Sequence, residues 1–75
     1  MHTYASVILN SEGAPASEVT AVFKNLGFST TLGTYDFSYD WGTRDVTPEE
    51  VINFVEKVQS RLKGKRVLIT ISTIP

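Results

Sequence analysis

Hydrophobic and polar residues alternate most regularly between Gly33 and Gly42, where the chain reads Gly-Thr-Tyr-Asp-Phe-Ser-Tyr-Asp-Trp-Gly. Tyr35, Phe37, Tyr39 and Trp41 occupy every second position, with Asp36, Ser38 and Asp40 between them. A period of two puts the four rings on one side of a β-strand and the polar residues on the other. Helical spacing would scatter the same rings around a cylinder. The opposite orientation would bury Asp36 and Asp40, and an unpaired buried carboxylate is strongly unfavourable. The pattern therefore predicts rings against the core and carboxylates in water.

Around this strand the other elements follow from their own periods. Tyr4–Leu9 reads as a first strand with Ala5, Val7 and Leu9 inward and Tyr4, Ser6 and Ile8 outward. Asn10-Ser11-Glu12-Gly13 is loop chemistry. Pro15 suits a first helical turn, and Val19, Val22, Phe23 and Leu26 then recur at i, i+3, i+4 and i+7 up to the stop at Gly27. A helix over Pro15–Leu26 is expected. Phe28–Leu32 is a second strand with Phe28, Thr30 and Leu32 inward, and Gly33-Thr34 turns it tightly into the aromatic strand. Thr47-Pro48-Glu49-Glu50 is a capping box, with Val46 and Val51 placed as its hydrophobic staple. Val51, Val55, Val58 and Leu62, flanked by Ile52 and Phe54, give the second helix its apolar face, and Gly64 ends it. Val67–Thr73 is the last strand, with Val67, Ile69 and Ile71 inward.

The order β-α-β-β-α-β, with right-handed crossovers, predicts one antiparallel sheet of order 4-1-3-2 with both helices on one face. That is the ferredoxin-like α+β plait, expected here as a single domain over residues 1–75. The plait hosts many unrelated functions, so function has to be argued from particular residues.

Composition removes several function classes. There is no cysteine, hence no disulfide, no thiolate ligand and no thiol nucleophile. The net charge of −1 gives no overall attraction to nucleic acid or to an anionic membrane. No apolar run approaches the ~20 residues that cross a bilayer. No signal peptide is read at the N-terminus, so a cytoplasmic location is the expectation.

Individual chemistry candidates fare poorly. Asp36-x-Ser38-x-Asp40 opens like a calcium-binding EF-hand loop, but Trp41 stands at the sixth position and Thr47 at the twelfth, where Gly and Glu are required. Asp36 and Asp40 on one strand would lie ~13 Å apart, too far for one metal ion or a catalytic dyad. His2, the only histidine, is expected to be frayed and without an orienting carboxylate. The RNA-reading RRM modules put third-strand aromatics on the open face behind a basic residue and a glycine; here the strand opens Gly33-Thr34-Tyr35 with no cation. Acylphosphatases share the element order and hold a phosphate in the first β-α loop with an arginine, whereas Asn10–Ala14 carries Glu12 and no arginine. No catalytic residue, metal ligand or cofactor is assigned.

Two surfaces remain. Lys57, Arg61, Lys63, Lys65 and Arg66 hold five of the seven cations, downstream of Asp36, Asp40, Asp45, Glu49 and Glu50. The chain is dipolar, and the basic cluster is a candidate contact for a phosphate backbone or another anion. On the open sheet face, Tyr4, Ile8 and Leu68 are expected as neighbours in a small apolar patch. The reading is a non-catalytic protein-interaction or regulatory module, acting through that face or an edge strand on another protein or a second copy of itself. Nucleic-acid association through Lys57–Arg66 is the alternative, not favoured by the overall charge.

Overall fold

The computed structural model describes all of residues 1–75. The elements are β1 (His2–Ile8), α1 (Ala16–Asn25), β2 (Ser29–Thr30), β3 (Phe37–Asp40), α2 (Pro48–Leu62) and β4 (Leu68–Ile74). One four-stranded sheet has the order β2-β3-β1-β4, antiparallel throughout. This is the order 4-1-3-2 counted from the other edge. The chain is an α+β protein with an open antiparallel sheet and two helices.

Each helix begins and ends for a local reason. In α1, Pro15 stands at the cap without a side-chain hydrogen bond, and Val19 and Phe23, one turn apart, are buried. Gly27 follows at φ +97°, a left-handed conformation that costs glycine little. A Cβ there would also meet the Tyr39 ring at 2.9 Å. In α2, the Thr47 hydroxyl accepts the Glu50 N–H at 3.2 Å, and Pro48 takes the first helical position. This is one half of the anticipated capping box; the Glu50 carboxylate turns instead to Arg44, 2.7 Å away.

The core lies between the sheet and the helices. Ala5 of β1, Phe37 of β3, Val19 and Phe23 of α1, and Val58 and Leu62 of α2 pack together with Leu26 and Phe28. Phe23 stacks on Phe37 at 4.3 Å and meets Phe28 edge-on at 5.0 Å. Phe54 of α2 lies 4.4 Å from Tyr39, 5.1 Å from Trp41 and 5.5 Å from Phe28. Three of the four alternating rings thus face the helices, while Asp36 and Asp40 are exposed.

The fourth ring does not follow. Ala5, the register partner of Phe37, accepts the Asp36 N–H at 3.0 Å, and the Asp36 carboxylate accepts the Val7 N–H at 2.8 Å. Two residues then oppose one, as at a β-bulge, and the alternation slips by one position. Tyr35 crosses to the open face, where it stacks on Tyr4 at 4.8 Å.

The second strand is also shorter than its pattern. Only Ser29 and Thr30 pair, with Ser38 and Phe37. The Thr31 N–H donates to the Asp36 carbonyl, and the Thr31 hydroxyl to the Tyr35 carbonyl. A loop closed at Thr31 and Asp36 replaces the tight Gly33-Thr34 turn. Leu32, expected inward, sits in this loop fully exposed. Leu9, also expected inward, lies beyond the end of β1 and is 48% exposed.

Candidate interaction surface

The strand register lays out the open face row by row. His2 stands between Asp40 and Ile74, Tyr4 between Ser38 and Ser72, Ser6 beside Thr70, and Ile8 beside Leu68. The last row is an apolar corner, with Ile8 62% and Leu68 68% exposed and Leu9 adjacent in sequence. A shallow depression lined by Ile8, Leu9, Asn10, Ser11, Arg66, Val67 and Leu68 opens there. Ile8 and Leu68 are therefore neighbours, as the sequence implies. Tyr4 is not beside them: it lies four residues from Ile8, about 13 Å along the strand.

Tyr4 instead belongs to a column of stacked rings, with His2 at 5.8 Å and Tyr35 at 4.8 Å. The ring planes lie within 21° and 24° of parallel, so Tyr4 is stacked between its two neighbours. His2 is held in β1 and not frayed, and its Nε2 lies 3.8 Å from an Asp40 carboxylate oxygen. That cross-strand neighbour was hidden in the sequence, because it depends on the β1–β3 register. The pair is open to water, with side-chain exposures of 44% and 69%. No hydroxyl nucleophile is hydrogen-bonded to the imidazole, and no three His, Asp or Glu side chains come together as metal ligands.

Behind this end of the sheet lies a polar chain that periodicity also missed. The indole N–H of Trp41 donates to the Thr3 hydroxyl at 2.8 Å, and Thr3 and Thr73 share a hydroxyl hydrogen bond of 2.9 Å. Thr3 is fully buried, so these bonds satisfy groups that water cannot reach. The Arg44 guanidinium covers the Trp41 ring at 5.6 Å and pairs with Glu50 at 2.7 Å. The bond from Arg44, with help from the Thr47 contacts, holds the Glu50 carboxyl below the usual glutamate range. The lowered value favours the folded state at neutral pH, and that contribution is lost as the pH falls from the ordinary glutamate range through the lowered value.

The sheet edges differ. β2 presents a backbone edge of two residues, whereas β4 presents one of seven, Leu-Ile-Thr-Ile-Ser-Thr-Ile. No charge or proline interrupts β4. Ile69 and Ile71 point to the helix side and pack on the core, yet remain only half-buried. A groove between α2 and β4 runs beside them, lined by Leu62, Val67 and Ile69 with Glu56, Gln59, Ser60, Lys63, Gly64 and Arg66.

The basic residues do not converge on one point. Lys63 and Arg66 share the groove with Glu56. Lys65 folds towards α1, where its ammonium lies 3.5 Å from Glu18. Lys57 and Arg61, one turn apart on exposed positions of α2, do not line the groove. Arg66 itself adopts φ +58°, an uncommon conformation for a side-chain-bearing residue, at the turn into β4. Gly13 packs against this turn: a Cβ there would lie 2.7 Å from the Lys65 carbonyl oxygen and 2.9 Å from that of Arg66.

No family model, curated protein or solved structure matches this chain. No helix is long and apolar enough to cross a membrane. What the geometry offers is contact chemistry: an apolar corner, an uncharged strand edge, and a polar face between them.

Proposed function

We propose that the chain is a small non-catalytic protein-interaction module of the ferredoxin-like plait type, working through the open sheet face and the β4 edge. The strand order and the common core of the two helices support the plait reading. The observation that carries the functional reading is the joined apolar surface of Ile8, Leu9 and Leu68 at the start of an uncharged edge strand. Exposed apolar residues are ordinary when scattered; adjacent ones beside free strand amides mark a contact surface. A partner strand added at such an edge gains main-chain hydrogen bonds, and the corner supplies the side-chain anchor.

The test compares proteins retained on the immobilised wild type with those retained on Ile8→Asp/Leu68→Asp, at low and high salt. Retention that is lost in the variant but survives salt supports the reading. Retention indifferent to both substitutions overturns it. Retention that collapses with salt alone would favour the alternative, an anionic partner held by Lys57, Arg61, Lys63 and Arg66.

A further inference from the structure

We infer that the partner at the β4 edge is a second copy of this chain, paired antiparallel about a two-fold axis at Ile71. This rests on the interaction reading above and names its partner. An edge strand can accept any strand, so the occupant has to be argued from the residues that would face each other. In an antiparallel pair, directly opposed residues share a face of the sheet. A two-fold axis perpendicular to the sheet also makes every contact reciprocal.

With the axis at Ile71, Leu68 lies opposite Ile74 of the second copy, Thr70 opposite Ser72, and Ile71 opposite itself. Ile69 falls opposite Thr73. On the open face, apolar thus meets apolar and hydroxyl meets hydroxyl, and no charge opposes another. All seven residues of β4 are used. Moving the axis to Thr70 sets Leu68 against Ser72 and Arg66 against Ile74, and shortens the matched stretch. The strand is close to a chemical palindrome, which a strand selected for a different partner has no need to be.

Two structural observations agree. Ile69 and Ile71 pack on the core from the helix side yet stay only half-buried, and the axis brings the two Ile71 side chains together. The opposite edge is blunted to two residues, while β4 carries neither lysine nor proline nor bulge, the usual guards of a solvent-facing edge. Pairing there extends the sheet from four strands to eight and leaves only the short β2 edges outside.

The experiment uses the absence of native cysteine. Thr70→Cys and Ser72→Cys are both at exposed positions and leave the core untouched. Opposed Cα atoms in the inferred register are about 4.5–5.5 Å apart, within disulfide reach. Thr70 and its own counterpart are two residues out of register, about 8 Å apart, beyond it. Mixed under mild oxidation, the two variants are expected to cross-link at least about tenfold faster than either alone. Sedimentation of the wild type at tens of micromolar is expected to give twice the chain mass. The Thr70→Lys/Ser72→Lys variant, which sets like charges opposite each other, should give a single chain mass with an unchanged circular dichroism spectrum. Mixing it with Thr70→Glu/Ser72→Glu should restore the doubled mass.

A monomeric wild type overturns the inference, as does cross-linking no faster in the mixture than in each variant alone. If the wild type is monomeric but still retains other proteins through Ile8 and Leu68, this inference falls and the interaction reading stands. If it is dimeric and the face substitutions change no retention, the dimer survives and the broader reading falls.

Discussion

At one edge of the sheet β2 contributes Ser29 and Thr30; at the other β4 contributes seven residues without a charge among them. The β2 side is closed. Phe28, Tyr39, Trp41 and Phe54 fill the space behind it, and the Thr31–Asp36 loop caps its end. The β4 side is open. Its inward isoleucines are half-exposed and its first row, Ile8 and Leu68, faces water. The difference teaches where the small core was invested. A domain of ~60 residues hides only about 60% of its unfolded surface, and here the exposed aliphatic residues include Ile8, Leu68 and Ile74 on the β4 flank. The aromatic side is packed within one chain, and the aliphatic side stays partly exposed.

Substitutions can break the closed side first. Phe23→Ala removes a fully buried ring that touches both Phe28 and Phe37. It should cost about 3–5 kcal/mol, much of the stability of so small a domain, as read by urea unfolding. A change below about 1 kcal/mol would mean that the ring cluster is not the seat of stability. Gly13→Ala acts on the open side, by forcing a Cβ into the Lys65 and Arg66 carbonyls. About 1–3 kcal/mol is expected, because backbone atoms cannot swing away. Unfolding at the wild-type midpoint would show that the β1–α1 loop is not tightly docked on the turn before β4.

Thr3→Val sharpens the comparison further, since Thr3 links the two flanks through Trp41 and Thr73. The replacement keeps the shape and strands the indole N–H, at a cost of about 1–3 kcal/mol. Thr73→Val keeps the Thr3–Trp41 bond and should cost less. The smallest effect belongs to Thr47→Ala, which removes the α2 cap for about 1 kcal/mol in thermal unfolding. Acid adds a related signature. Glu50 contributes charged-state stability at neutral pH that is lost as the pH falls below the ordinary glutamate range, and Arg44→Ala should reduce that portion of the acid sensitivity, leaving the part owed to Thr47.

Much of the fold was legible in local patterns. The alternation Phe37, Tyr39, Trp41 fixed the dry side of β3 because two carboxylates could not be buried in their place. Thr47, Pro48 and Glu50 marked the start of α2 to the residue. Tyr35 and Leu32 were misleading for one reason: alternation describes a strand only while its ladder lasts. Asp36 ends the ladder by offering its own carboxylate to Val7, and Thr31 closes the loop on the other side. The surface was less legible. Strand order places Ile8 and Leu68 on adjacent strands, but their pairing, the His2–Asp40 neighbours and the Thr3–Trp41–Thr73 bonds need the register between residues up to 70 positions apart. The split of the basic cluster, with Lys65 drawn to Glu18, depends on how α1 and the last loop pack and has no signature in spacing.

The inferred partner of the β4 edge is a second copy of the chain. Amide hydrogen exchange along Leu68–Ile74, followed from high to low protein concentration, reads this directly. In an antiparallel edge strand every other N–H points outward and exchanges fast unless another strand accepts it. The outward amides should be protected at high concentration and lose that protection on dilution, while those bonded to β1 stay slow. Outward amides that exchange fast at every concentration would contradict it.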